Sequence, residues 1–456
     1  MSIALALLAT LSACASVPKV DGIIDKASSS TTGENLVGAR GPLSEAQSQA
    51  ILVRLQKQAK DTDLLERHLA VEQAVSATPL VTGNQTAILR DGAETFRAMY
   101  RAMRGARHHI NLEYYILEDI EQDHERLSDL LTAKQQAGVA VNIIYDSYGS
   151  MGTPKAFFDR LRKAGIALLE FNPINPLDAR DSYSLNERDH RKILIVDGTT
   201  AIVGGVNLSS TYEHPLGSLV GSDGSSSDYW RDTDLRIQGP AVAELQKLFL
   251  QHWAKQKGPP LNQASFFPTV PASGKQVVHI IGSEHDDTIP RYYATLLSAI
   301  RNAQKNIWVT TGYFVPTRDE VEDLIRAARR GVDVRLLLPG KSDSPLALAV
   351  GHSRYENLLE AGVKIYETQH EVLHSKTAVI DGVWSVVGSS NFDHRSTLFN
   401  DEVDAVVLGV ESAMQMEAMF LDDLRNAKAI DLKTWVNRPL GEKIDETYSR
   451  LWQTLL

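Results

Sequence analysis

Apolar and polar positions along the chain alternate between two periods. Stretches with apolar residues three and four apart are followed by short runs rich in Val, Ile and Leu. The switch is clearest in Ala137-Gly138-Val139-Ala140-Val141-Asn142-Ile143-Ile144 and in Arg330-Gly331-Val332-Asp333-Val334-Arg335-Leu336-Leu337. Each closes a helical stretch and opens a strand. A second pair, Leu161-Arg162-Lys163-Ala164-Gly165-Ile166 and Leu359-Glu360-Ala361-Gly362-Val363, ends a helix at glycine before another strand. These pairs mark a duplication, and the alternation predicts an α/β fold in which helices cover a sheet in each half. The Pro- and Gly-bearing stretch from Lys257 to Gly274 separates the halves and sets domains at 79–262 and 263–456. Ahead of them, Ser44 to Ser76 predicts one or two amphipathic helices through Leu52, Leu55, Leu64, Leu65 and Leu69. A Gly/Ser-rich stretch from Gly217 to Ser227 reads as a loop insertion.

The N-terminal pattern is different. Ile3 to Ala13 is uncharged and mostly apolar, too short to span a bilayer but suited to the core of a signal peptide. Leu11-Ser12-Ala13-Cys14 closes the run and resembles the lipobox of bacterial lipoproteins. That resemblance implies removal of residues 1–13 and acylation of Cys14, with 14–78 as a tether and helical segment. It implies a lipid-anchored, periplasm-facing protein at a bacterial membrane, and Ala15 after the cysteine favours the outer membrane. Cys14 is the only cysteine, which excludes a disulfide framework and a cysteine-held metal cluster.

Composition adds one constraint. The 456 residues are 43% hydrophobic and 23% charged, as in a globular protein, with a formal net charge of −10. An acidic chain lacks the basic face that nucleic acid requires, so nucleic acid is not an expected partner.

The chemistry lies in a third repeated block. The first copy is His190-Arg191-Lys192, Asp197-Gly198 and Gly204-Gly205-Val206-Asn207. The second is His374-Ser375-Lys376, Asp381-Gly382 and Gly388-Ser389-Ser390-Asn391, at identical internal spacing. His and Lys two apart on a strand point to one face. Asp-Gly is a hairpin pair, after which the returning strand brings Asn207 back towards His190. Asp197 and Asp381 fall at the far end of that hairpin and read as turn or scaffold residues. Lysine is costly to bury unpaired, so Lys192 and Lys376 imply an anion between them. Two lysines and two amides, Asn207 and Asn391, supply the donors that stabilise charge on phosphoryl oxygens. Neither copy offers a closed metal-ligand set, and no cofactor is implied.

Both blocks resemble the HKD motif of the phospholipase D superfamily, and the surrounding sequence is similar to bacterial cardiolipin synthases from about Pro79 onwards. Further echoes are Glu113-Tyr114-Tyr115, Tyr145-Asp146-Ser147, Trp230-Arg231-Asp232-Thr233, Tyr313-Phe314-Val315-Pro316 and Asn391-Phe392-Asp393-His394-Arg395-Ser396 with Asn400 and Glu402. Gly205 departs from the pattern where the second copy has Ser389. The resemblance implies two tandem phospholipase D-like domains, each a mixed sheet flanked by helices, sharing one active site at a pseudo-two-fold interface. It implies a phosphohistidine mechanism with His190 as nucleophile and His374 as acid and base, although the near-identical copies leave that assignment open. Asp232 and Glu402, at matching positions, orient the histidines or form strand-edge salt bridges. The implied reaction is phosphatidyl transfer from phosphatidylglycerol to a second phospholipid, in a protein acting as a monomer. With water as acceptor the same site is a phospholipase D, and the residues do not separate the two. A nucleic-acid phosphodiesterase and a non-catalytic lipid-binding lipoprotein are the remaining readings. Outside the motifs, His108-His109 reads as a cationic helix end. Tyr114, Tyr115, Tyr313 and Phe314 are divided between pocket and core, and His394-Arg395 is placed at the pocket edge.

Overall fold

The computed structural model describes residues 17–28, 36–58, 78–175, 184, 186–213, 229–439, 441, 446, 448–450 and 453. Cys14 and its apolar run, residues 59–77 of the expected helical segment, and the Gly217–Ser227 loop lie outside the described residues. Within them, no helix is long and apolar enough to cross a membrane.

The duplication appears as two sheets of identical topology. In the first half the strands are β1 (Leu80–Arg90), β2 (His109–Tyr114), β3 (Ala140–Asp146), β4 (Ala167–Phe171), β5 (Lys192–Val196), β6 (Thr200–Gly204) and β7 (Thr233–Gln238). Those of the second half are β8 (Gln276–Ser283), β9 (Asn306–Thr311), β10 (Asp333–Leu338), β11 (Lys364–Thr368), β12 (Lys376–Ile380), β13 (Trp384–Gly388) and β14 (Asn400–Leu408). The first sheet runs β4-β3-β2-β5-β6-β7-β1, parallel across β4-β3-β2 and antiparallel thereafter. The second repeats this as β11-β10-β9-β12-β13-β14-β8. Helices occupy the parallel crossovers, because parallel neighbours need a long connection.

Strand alternation decides which side chains meet which layer. In β5, Leu194 and Val196 face a cluster with Met99, Tyr100, Leu131 and Phe158 from the covering helices. Ile193 and Ile195 face the opposite way, into a central cluster with Val278, Ile280, Val379, Val403 and Ala405 of the second sheet. The sheets thus meet face to face, with helices on their outer faces and the helices Val242–Lys255 and Val410–Asp423 lending residues to the central layer. A fully buried Leu, Ile or Phe contributes about 1.5–3 kcal/mol, so this central layer holds the halves together firmly. Strand β1 adds a covalent splice: residues 85–90 pair with β7, whereas Leu80, Val81 and Asn84 pair with β8 of the other sheet. Gly83 sits at the changeover with φ of 92°, in the left-handed region that favours glycine.

The stretch Lys257–Gly274 is more than a connector. Its Phe266 is buried against His109, with ring centroids 4.4 Å apart, and Ser273 N–H donates to Gly83 O at 2.8 Å. This corrects the reading of His109 as part of a cationic helix end. The helix stops at Gly105, and His109 opens β2 as a buried ring bonded to Gln246 at 3.2 Å. Burial pushes its pKa down to about 4, so it is neutral.

Candidate active site

The two hairpins form as their turn residues require. Asp197 and Gly198 have φ of 52° and 62°, and Asp381 and Gly382 have 53° and 65°, the left-handed pair that suits a two-residue turn. The aspartates face away from the histidine end. Asp197 accepts the backbone N–H groups of Arg107, His108 and His109 at 2.8–2.9 Å. Asp381 does the same for Gln304, Lys305 and Asn306. Each carboxylate therefore fastens the helix-to-strand connection preceding β2 or β9.

The histidines are placed by short parallel pairings between the halves. Arg188–Asp189 pairs with Asn400–Asp401, and His190 N–H donates to Asp401 O at 2.9 Å. One residue further along β14, Glu402 sets its carboxylate 3.0 Å from His190 Nδ1. The second site repeats the construction. Trp230–Arg231 pairs with Val372–Leu373, His374 N–H donates to Arg231 O at 2.8 Å, and Asp232 Oδ2 lies 2.7 Å from His374 Nδ1. Each histidine takes its carboxylate from the other half. A carboxylate only accepts, so Nδ1 carries the proton on both rings and Nε2 is left as the basic atom.

Lys192 and Lys376 donate back to the carbonyls of His190 and His374. Both amines are buried, and desolvation lowers their pKa values to about 7 and about 8. Desolvation also pushes both imidazoles down to about 4, against the opposing pull of Glu402 and Asp232. The lysines add to this across the halves: Lys376 depresses His190, and Lys192 depresses His374. The four groups thus share one electrostatic environment, and the substrate-free site holds both rings neutral.

Asn207 Oδ1 accepts the Ile116 N–H at 3.1 Å. Asn391 Oδ1 is buried without a hydrogen-bond partner. Of the aromatic residues in question, Tyr115 lies 5.1 Å from the His190 ring and 5.3 Å from Lys192 Nζ, and Tyr313 lies 5.9 Å from the His374 ring. Tyr114 and Phe314 belong to the core. Arg395 reaches across the halves to Asn186, at 3.0 Å.

Sequence reading missed Tyr212 and His252 and gave no such role to several residues that it named. Tyr212 places its hydroxyl 3.1 Å from His374 Nδ1. Ser389 Oγ donates to Glu402 at 2.5 Å, and Asn400 Nδ2 does so at 3.2 Å. Arg191 is fully buried, donating to Glu402 O, Ser283 O and Glu113 Oε1 at 3.2–3.3 Å. Glu113 also lies 2.7 Å from His252 Nδ1. Burial alone would lower the pKa of His252, but Glu113 and Asp189 overcome it and raise it to about 9. Glu113, Asp189 and His252 offer ligand atoms within 4.8 Å of one another. The Arg191 guanidinium and a protonated His252 already bring positive charge to these carboxylates. The only sequence signal for Tyr212 is its offset: it stands five residues after Asn207, as Ser396 stands after Asn391, where Ser396 Oγ accepts the Asn391 N–H.

Comparison with known proteins gives a consistent result. The family profile "Cardiolipin synthase, PLD-like domain" matches residues 99–253 and 296–424. The chain is 36% identical over 390 residues to a cardiolipin synthase of Geobacillus sp. (strain WCH70), covering 85% of this chain and 76% of that protein. It is 34% identical over 414 residues to one of Alkalihalophilus pseudofirmus, covering 90% and 80%. Among solved structures, phosphatidylserine synthase of Haemophilus influenzae Rd KW20 aligns over 86% of this chain and 99% of that one, with a TM-score of 0.63 at 13% identity. At that identity the likeness speaks for the fold alone.

Proposed function

Because the chain belongs to the cardiolipin synthase family of phospholipase D-like proteins, we propose that its reaction, phosphatidyl transfer between phospholipids, runs through a phosphohistidine at His190. The observation that carries this mechanism is the exchange of carboxylates, which gives two imidazoles with bare Nε2 atoms in one electrostatic environment.

Burial keeps both rings neutral at neutral pH. A bound phosphodiester anion offsets the charges of Lys192 and Lys376, and His374 then takes up a proton at Nε2. His190 Nε2 attacks phosphorus, the P–O bond to the glycerol headgroup breaks, and His374 delivers its proton to the departing oxygen. Lys192, Lys376, Asn207 and Asn391 hold the phosphoryl oxygens as charge builds on them. In the second step His374 removes the proton from a hydroxyl of a second phosphatidylglycerol. That oxygen attacks phosphorus, the P–N bond breaks, and cardiolipin leaves with His190 restored.

Lipid anchoring through Cys14 would keep this site beside its substrate, and the small-residue pattern before that cysteine supports it. The site takes all its named residues from one chain, which supports action as a monomer. The test is product analysis with labelled phosphatidylglycerol in a synthase-null bacterium. Labelled cardiolipin and free glycerol are expected. Phosphatidic acid as the sole product would assign the acceptor role to water and overturn the synthase reading.

A further inference from the structure

Tyr212 lies in a 3₁₀ turn, Ser210–Tyr212, five residues beyond Asn207, and is fully buried. Its hydroxyl is 3.1 Å from His374 Nδ1, the atom that also faces Asp232 Oδ2 at 2.7 Å. Because the carboxylate accepts the Nδ1 proton, that nitrogen has no lone pair to offer, and the phenol oxygen is a second acceptor of the same N–H. Trp230 packs on both rings, 5.6 Å from Tyr212 and 5.1 Å from His374, and limits their rotation. Burial keeps the phenol protonated, so the hydroxyl is present throughout the working pH range.

We propose that Tyr212 is a positioning residue for the acid–base histidine: from the first half it gives the Nδ1–H of His374, in the second, an acceptor beside Asp232. This rests on the mechanism above and deepens it. The phenol oxygen and the Asp232 carboxylate, both from the first half, hold the Nδ1 side of the proton-supplying ring from two directions. In the second motif the equivalent offset holds Ser396, which accepts the backbone N–H of Asn391 at 3.1 Å.

The test is Tyr212→Phe, which keeps the ring and deletes the oxygen. The expected result is a roughly 10-fold fall in kcat with KM within about twofold of wild type, since one hydrogen bond made in the reacting geometry is lost. Loss of an acceptor at Nδ1 weakens the imidazolium, so the alkaline limb of the kcat profile should move to lower pH. The charged or titratable groups facing His374 are Asp232 and Lys192 from the first half, and Lys376 and Tyr313 from the second. All of these remain in the variant. Nitrogen NMR of the substrate-free protein, with the ring of His374 assigned through His374→Gln, should show a displaced Nδ1 signal. That readout needs no turnover, so it separates failure of this proposal from failure of the phosphohistidine mechanism. A lowered kcat with an unmoved pH limb and an unmoved Nδ1 signal would reduce Tyr212 to packing and overturn the proposal. If Tyr212→Phe does not fold, 3-fluorotyrosine at position 212 retains the ring and weakens the oxygen as acceptor. A smaller shift of the same limb is then expected, and no shift would overturn the idea.

Discussion

The two histidine sockets share a motif but are built from different parts. On the His190 side the carboxylate is Glu402, braced by the Ser389 hydroxyl and the Asn400 amide. Burial opposes its charge, but His190, Lys192 and Ser389 together hold it below the usual carboxylate range. On the His374 side the carboxylate is Asp232, one methylene shorter, and the position matching Ser389 is Gly205. A Cβ on Gly205 would stand 2.1 Å from Asp232 Oδ1. The shorter acid therefore sits in space that the other socket gives to a serine. Its Oδ1 accepts the Thr233 N–H at 2.8 Å, and Tyr212 meets the histidine ring itself. The departure at Gly205 is thus half of a compensated pair. Equivalent geometry around two rings has been reached by different side chains, which suits rings with different tasks.

The largest effect that would break this comparison comes from the rings themselves. His190→Ala and His374→Ala should each lose about 10⁴-fold or more in cardiolipin formation. They should part company on a donor with a p-nitrophenol leaving group, which needs no proton. His374→Ala should still label the protein with phosphate, and His190→Ala should not. The reverse pattern in alkali-stable, acid-labile labelling of the two variants would exchange the assigned roles.

Next come the carboxylates. Glu402→Gln and Asp232→Asn should each lower kcat about 10²-fold or more, by releasing the tautomer of the ring in the opposite half. The exchange is the point under test. If Glu402→Gln perturbs the NMR signals of His374 and leaves His190 untouched, the crossed pairing is wrong.

Acid stability measures how alike the sockets are. Both rings have pKa values near 4 in the folded chain against an ordinary 6.5, so the unfolded chain binds more protons between those values. Stability should fall as pH drops from about 6.5 towards 4, by about 3 kcal/mol per ring at about 1.36 kcal/mol per unit. Urea unfolding at pH 6.5 and 4.5 checks this. His190→Asn and His374→Asn should remove equal parts of the decline, and unequal parts would show that one socket is wetter than the other.

The smallest effects belong to the compensated pair. Ser389→Gly removes a charge-assisted hydrogen bond and should lower kcat about 10-fold. Gly205→Ser should lower the melting temperature as well as kcat, because the added carbon displaces Asp232, at about 1–3 kcal/mol. A Gly205→Ser protein with wild-type stability would show that Asp232 has room to move.

The paired hairpins and the His–Lys faces could be read from the chain because they follow from spacing within one short segment. The positional match of Asp232-Thr233-Asp234 with Glu402-Val403-Asp404 likewise marked both carboxylates. Which acid serves which ring could not be read, since repetition records equivalence and not exchange. That is set by the parallel pairings of 188–189 with 400–401 and of 230–231 with 372–373. His109 was misread for a similar reason: its local context is a helix end, while the groups that enclose it, Gln246 and Phe266, lie far along the chain. Arg191 occupies a variable place between His190 and Lys192, and its role depends on Glu113 and Ser283, which no local pattern connects to it.

The borrowed carboxylates also bear on the history of the molecule. A single repeat could complete a pocket of this kind only by meeting an identical twin, and any substitution would then appear on both sides at once. Fusing the twins into one polypeptide removes that obligation. From then on, a glycine could settle in one copy and a serine in the other, and selection could tune donor and acceptor chemistry separately.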